Sequence, residues 1–546
     1  MCPRLLASNA LSFGAKKVLP ETIQKNFYTP SMKNHNLFQA LRDAFPKDLN
    51  TSAVLTDTGL DYSWLDLERA SAMMANLLDS LDLPPQSRVA VQVEKSVEAM
   101  MLYLATLRAG HIFLPLNTAY QHSEIEYFIE NAEPAVVVCS GKNFSWVSQI
   151  AFNKGAKSVF TLDDDRTGSL LERAVHFSDR HTPKVCKAGD LAAILYTSGT
   201  TGRSKGAMLS HENLLSNALT LKKYWGWVPA DVLIHALPIF HVHGLFVAIH
   251  GALLNGSRML WHAKFDPKRV LSDFSRASVF MGVPTLYVRL LLESGLNAQS
   301  VSRMRLFVAG SAPLLIETFT DWQKRTGHTI LERYGMSETL MLTSNPYEAD
   351  DRYAGETERR GSTVGFPLPG VSLRICDEQH NTLPVNEIGS IEVKGPNVFS
   401  GYWRMPEKTA QEFSKDGYFV TGDVGKVDER GYVSIVGRSK DLIISGGYNV
   451  YPAEIEGYIN EFSGVAESAL VGVSHPDFGE VGVVIVVPKP GAHLEPEGII
   501  AKLKGQLANF KIPKKCFVLE DLPRNTMGKV QKNVLREQYK DLFTQS

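Results

Sequence analysis

The chain has 546 residues, too many for one ordinary hydrophobic core, so two or more domains are expected. Its 44% hydrophobic and 21% charged residues lie in the range of soluble globular proteins, and 57 Lys plus Arg stand against 58 Asp plus Glu. That balance leaves no global field to gather nucleic acid or an anionic membrane, although a few residues can still build a local anion site.

The first 40 residues differ from the rest. Arg4, Lys16, Lys17, Lys25 and Lys33 face a single acid, Glu21. A basic, acid-poor start with hydroxyl residues fits a mitochondrial transit peptide over residues 1–31. The alternatives are a plain tail, or Met32 as the working start with a cytoplasmic location. From about Leu37 the text becomes regular. Arg88 to Glu94 alternates like a strand, and Ser96 then opens a helical run, Val97 to Arg108, that stops at Gly110. Ala135 to Cys139 and Leu191 to Tyr196 are apolar runs of the buried-strand kind. Helices are expected at Glu212 to Tyr224 and Pro267 to Arg276. The stretch His235 to Leu254 is apolar but carries His235, His241, His243, His250 and Pro238, which suits a folded interior and not a bilayer span. Strands alternating with helices imply a layered α/β body.

Past the middle come β-rich segments, Gly389 to Gly395 and Gly431 to Gly437. Beyond Lys440 the text changes again: strands at Val465 to Val473, Gly482 to Val487 and Phe517 to Leu519, and a helix at Ile499 to Asn509. The fold class expected is α/β, a large multi-sheet body over residues 32–439 and a small, mobile α+β domain over 440–546. Five cysteines, Cys2, Cys139, Cys186, Cys376 and Cys516, show no CxxC spacing, which argues against a zinc site or a disulfide framework and for a reducing compartment.

The most informative segment is Tyr196-Thr-Ser-Gly-Thr-Thr-Gly-Arg-Ser-Lys-Gly206, directly after a buried strand. Gly199 and Gly202 free the backbone, Thr197, Ser198, Thr200 and Thr201 add hydroxyl donors, and Lys205 adds a cation. Such a loop wraps a polyphosphate, because each charged oxygen wants several donors at once. It is not a Walker A loop, since Ser204 stands where that pattern needs glycine before the lysine.

This loop resembles the phosphate-loop motif of the adenylate-forming superfamily. Glu332-Arg-Tyr-Gly-Met-Ser-Glu338 resembles its adenine-and-magnesium motif, Tyr418 to Asp423 its ribose motif, Gly437-Arg-Ser-Lys-Asp441 its hinge, and Pro523 to Lys529 its tail motif with the catalytic lysine. Five motifs in order make the resemblance specific, and it runs from about Asn36 to the C-terminus. It implies ATP and Mg2+ as cofactors and, for the ligases of the superfamily, coenzyme A as co-substrate. It also implies roles. Lys529 is the cation brought to the α-phosphate, where negative charge concentrates. Glu338 holds magnesium, a hard cation that prefers oxygen. Ser337, where the family often has Thr, can bond a phosphate oxygen. Tyr334, with Gly335 beside it, lies against adenine, and Gly310, Ser311 and Ala312 form the other wall. Asp423 accepts from the ribose hydroxyls and Arg438 steadies the same sugar. Lys440 is the pivot of the tail domain, and Gly446 and Gly447 leave room for pantetheine.

At finer grain, Leu237 to Leu245, Gly282 to Leu291, Gly310 to Leu315 and Pro523 to Asn533 resemble malonate–CoA ligases. Arg289, a helical turn beyond Pro284-Thr285, is then expected to be buried and to grip the free carboxylate of a diacid, since an unpaired buried guanidinium is costly. His241 is the favoured second donor, ahead of His243. Val242 and Met341 bound the space for an α-methyl group, which leaves malonate and methylmalonate both open. The charged stretch Ala354 to Arg360 is expected to reach solvent.

Overall fold

The helix that the sequence opens at Ser96 runs Val97–Arg108, and the Ser96 hydroxyl accepts a hydrogen bond from the Ala99 N–H. The computed structural model describes residues 34–197, 204–504, 506–525 and 528–543. The expected transit peptide, and Ser198, Gly199, Thr200, Thr201 and Gly202 of the phosphate loop, therefore lie outside the described residues. The short apolar runs are strands Arg88–Gln92, Val136–Cys139 and Leu191–Thr197. Helices cover both faces of such strands, so they read as continuous hydrophobic text.

Those strands belong to a six-stranded sheet ordered Ser158–Thr161, Val136–Cys139, Arg88–Gln92, Ile112–Pro115, Leu191–Thr197 and Lys205–Ser210. Its pairings are parallel except the last, which is antiparallel and sets Thr197 opposite Lys205. The ends of the phosphate loop are thus fixed by one ladder.

A nine-stranded sheet runs Phe366–Pro367, Leu340–Ser344, Leu331–Met336, Leu306–Ala309, Val279–Gly282, Val232–His235, Arg258–Trp261, Ser52–Thr56 and Asp61–Ser63. Its centre is parallel, so the carboxyl ends of several strands open on one side, the usual place for a ligand crevice. Phe274, Phe280, Phe307, Tyr287 and Trp322 pack edge to face beneath it. His235 to Leu254 is interior, as expected. It carries a π-helical segment, His243–Ile249, a form often found at functional sites. Among the described residues no helix is long and apolar enough to cross a membrane.

A four-stranded antiparallel sheet, Ser372–Cys376, Gly389–Lys394, Phe419–Val427 and Val433–Arg438, carries the ribose motif. The smaller C-terminal domain has its own sheet, Tyr448–Val450, Ile443–Ser445, Gly479–Pro488 and Val465–His475, with Lys515–Val518 beside Gly479–Pro488. Its hairpin turns on Gly446 and Gly447, with φ of 58° and 83°, the positive values that a two-residue turn of the I′ kind requires.

The helix expected over Ile499 to Asn509 is shorter and earlier. It runs Pro496–Leu503, Lys504 is already extended, and Asn509–Lys511 forms a separate 3-10 turn. Pro496 supplies a natural first helical residue, and the glycine at 505 is a stop signal that the apolar pattern overran. The charged stretch is partly docked: Glu356 and Glu358 pair with Arg430, Arg360 with Asp428, and Arg359 donates to the carbonyls of Thr329 and Pro346.

Candidate active site

The nucleotide side of the cleft is prebuilt on strand ends. Asp423 and Arg438 face each other across neighbouring antiparallel strands, with Arg438 Nε 2.7 Å from Asp423 Oδ1. The Tyr334 hydroxyl donates to Asp423 Oδ2 at 2.5 Å. The Asp423 carboxylate therefore ties Tyr334 to Arg438, and it is 3% exposed. Gly335 follows Tyr334 on the same strand, and Ser337 stands between that strand and Glu338, partly exposed. Gly310, Ser311 and Ala312 follow strand Leu306–Ala309, which lies beside Leu331–Met336, so the two proposed walls are neighbours. Ser311 has φ +71°.

Glu338 is 5% exposed, and burial raises its pKa. Tyr402 Oη lies 3.0 Å from its Oε1. Among the described residues no cluster of three metal-type side chains exists. A lone, nearly buried carboxylate fits Mg2+, which keeps waters and takes substrate phosphates as its other ligands. Lys205 points into the same region, with Nζ 4.2 Å from the Tyr402 ring centroid.

Lys529 is delivered to this cluster by the C-terminal domain. A bridge between Arg524 and Val530, with Asn525 N–H donating to Lys529 O at 2.9 Å, pinches its loop. Gly528 rests against the body: a methyl on its Cα would sit 3.4 Å from Thr285 Oγ1. Lys529 touches solvent, yet protein atoms crowd it on most sides. That desolvation, with Arg438 and Lys440 nearby, pushes the ammonium down to about 8 against the pull of Asp423 and Asp441. Lys440 is exposed in the turn Ser439–Asp441, whose Asp441 pairs with Arg536 at 2.9 Å. Gly446 and Gly447 are exposed at their hairpin tip.

The burial expected for Arg289 is not found. Arg289 is exposed near the end of helix Pro284–Leu291, its guanidinium 5.1 Å from the Phe265 ring centroid, and no carboxylate of the described residues pairs with it. It shares a helix face with Thr285, hence with the tail loop, so it stands at the rim of the cleft. The buried cation is Arg333, which sequence reasoning quoted inside a motif and passed over. It is 3% exposed, and neither its Nε nor its Nη2 finds a partner among the described residues. Burial pushes its pKa down to about 9. Gly310 makes room for it: a Cβ there would fall 2.5 Å from Arg333 Cζ.

His243 lies close enough for the charge on Arg333 to weigh on it. Its Nε2 has no partner among the described residues, and its Nδ1 is 3.4 Å from Ser311 Oγ. His243 therefore outranks His241 as the orphaned donor. Burial pushes His241 down to about 4, which leaves its ring neutral. Met341 pairs with Gly335 in the antiparallel ladder, just past a bulge that follows Tyr334. Val242 is buried at the start of the π segment.

The comparisons agree with this architecture. Residues 42–403 match the AMP-binding enzyme family and residues 454–529 the AMP-binding enzyme C-terminal domain. The crystal structure of ATP-bound MatB from Rhodopseudomonas palustris superposes with a TM-score of 0.90 at 54% identity, covering 93% of this chain and 100% of that one. A malonate–CoA ligase of Arabidopsis thaliana is 32% identical over 83% of this chain and 78% of its own length. A mitochondrial malonate–CoA ligase of Bos taurus is 31% identical over 83% of this chain and 81% of its own.

Proposed function

The chain belongs to the AMP-binding enzyme family, and from that premise we propose that it joins malonate to coenzyme A at the expense of ATP. The observation that carries the choice of acid is Arg333, a buried guanidinium with two N–H directions left open beside His243. A dicarboxylate supplies the missing anion: one carboxylate reacts, and the other meets Arg333 and the His243 ring. A monocarboxylate of the same length leaves the guanidinium unanswered. Arg289, at the rim, adds a weaker and more screened attraction.

In the first half-reaction a malonate carboxylate oxygen attacks the α-phosphorus of ATP, malonyl-AMP forms and pyrophosphate leaves. Asp423, Arg438 and Tyr334 fix the nucleoside, and Gly310 to Ala312 close the adenine side. Lys205, Thr197, Ser337 and the hydroxyl-rich loop hold the phosphates. Lys529 neutralises the charge that grows at the α-phosphate, the place where one preorganised donor matters most. Glu338 would hold Mg2+, which supplies further neutralising charge when bound. In the second half-reaction the C-terminal domain turns about Lys440 and withdraws Lys529. The pantetheine thiol reaches past Gly446 and Gly447 to the adenylate carbonyl, and malonyl-CoA forms as AMP departs. The basic residues 1–31, together with the mitochondrial relative, support delivery to mitochondria.

An AMP-release assay over malonate, methylmalonate, succinate, acetate and butyrate tests the reading. Malonate is expected to give the highest kcat/KM, with acetate and butyrate far below. Equal turnover of butyrate would overturn the diacid assignment.

A further inference from the structure

Lys205 has a partner within the protein itself. Its Nζ lies 2.9 Å from Glu412 Oε1, and the two side chains are only 21% and 20% exposed. The same Oε1 lies 3.0 Å from Lys408 Nζ. The other oxygen, Oε2, accepts a 2.6 Å hydrogen bond from the Tyr402 hydroxyl. One carboxylate is thus shared by two ammonium groups and a phenol, and the phosphate-loop lysine competes with Lys408 for a single oxygen.

We propose that Glu412 is a positioning residue whose carboxylate replaces the polyphosphate on Lys205, and that this exchange governs how readily pyrophosphate leaves. When a triphosphate binds, Lys205 turns to it, and Glu412 keeps Lys408 and Tyr402, so no half-buried charge is stranded. When pyrophosphate departs, Glu412 takes Lys205 back, and the ammonium is not left unpaired either. A partly buried charge without a partner is costly, so the recapture lowers the barrier to release. The carboxylate touches neither substrate nor the reacting phosphorus; it acts through Lys205. Lys408 tunes the exchange from the other side, since removing it strengthens the hold of Glu412 on Lys205.

The two side chains should therefore act with opposite signs, which a merely structural role would not produce. The inference rests on the reading that the reaction releases pyrophosphate. The experiment measures inhibition of the full-length enzyme by inorganic pyrophosphate, with KM for ATP and kcat, in wild type, Glu412→Gln, Glu412→Asp and Lys408→Met. Thermal unfolding checks that each is folded. Glu412→Gln is expected to tighten pyrophosphate inhibition and lower KM for ATP by about 3- to 5-fold, with kcat falling, the scale of one partly exposed ion pair. Lys408→Met is expected to weaken both by about 2-fold on the same scale, and Glu412→Asp to return toward wild type. Shifts of the same sign in both variants, no shift, or weaker inhibition in Glu412→Gln would overturn the exchange. If Glu412→Gln does not fold, the sign of Lys408→Met alone decides. Absence of malonate-dependent ATP–pyrophosphate exchange in wild type would instead sink the functional reading itself.

Discussion

On the body side of the cleft, Asp423, Glu338 and Arg333 are 3%, 5% and 3% exposed and stand on strands or directly beside them. On the tail side, Lys529 is exposed on a pinched loop, and among the described residues one ion pair, Lys489–Glu317 at 2.5 Å, joins the C-terminal domain to the body. The difference follows from the chemistry proposed for each side. Groups that recognise the nucleotide and the acid act in every step, so they gain from being rigid and dry. The cation for the α-phosphate is wanted in one half-reaction and is in the way in the next. It is therefore carried on the smaller lobe.

Removing the tail cation tests that division most severely. Lys529→Ala is expected to lower malonate-dependent ATP–pyrophosphate exchange by at least about 10²–10³-fold. Thioester formation from preformed malonyl-AMP should persist. Loss of the second activity and retention of the first would reverse the assignment.

Next comes the body-side guanidinium. Arg333→Met should cost malonate about 30- to 1000-fold in kcat/KM, the cost of removing one partner of a buried charge pair, while butyrate changes little. Because two of the replaced guanidinium's nitrogens have no partner among the described residues, the melting temperature should hold or rise. Arg289→Met, at the exposed rim, should cost no more than about 5-fold. The reverse ranking would restore the sequence-based expectation.

A smaller effect separates the lobes by pH. An ammonium whose pKa is lowered to about 8 is protonated below that value and neutral above it. Adenylation kcat/KM should therefore fall as pH rises through about 8 in the free enzyme, and Lys529→Ala should lose that limb. The smallest effect is expected at the joint between the lobes. Glu317 and Lys489 are 44% and 43% exposed, so Lys489→Ala should change the ratio of the two half-reaction rates by at most about 5-fold.

Much of this was legible in the sequence. Ser96 announced its helix by its hydroxyl, and the parallel core strands announced themselves as unbroken apolar runs. The residues proposed for the nucleotide stood out because phosphate and ribose recognition needs fixed residue types at short spacing. The exposure of Arg289 was not legible, because one turn beyond a Pro-Thr start fixes a helix face but not what covers it. Arg333 was passed over because the ladder that buries it, and the glycine that makes room for it, lie far apart in the chain. Glu412 was invisible for the same reason: it meets Lys205 across 207 positions.

The hollow at Gly310 has a practical corollary. On the proposed reading it would work as a length stop, since the guanidinium that fills it would close the far end of the acid site. Trimming residue 333 while leaving the glycine untouched would open that end and erase its charge together. One position would thus serve as the natural starting point for recasting the enzyme toward longer, uncharged tails, whereas bulk added at 310 would only evict the stopper.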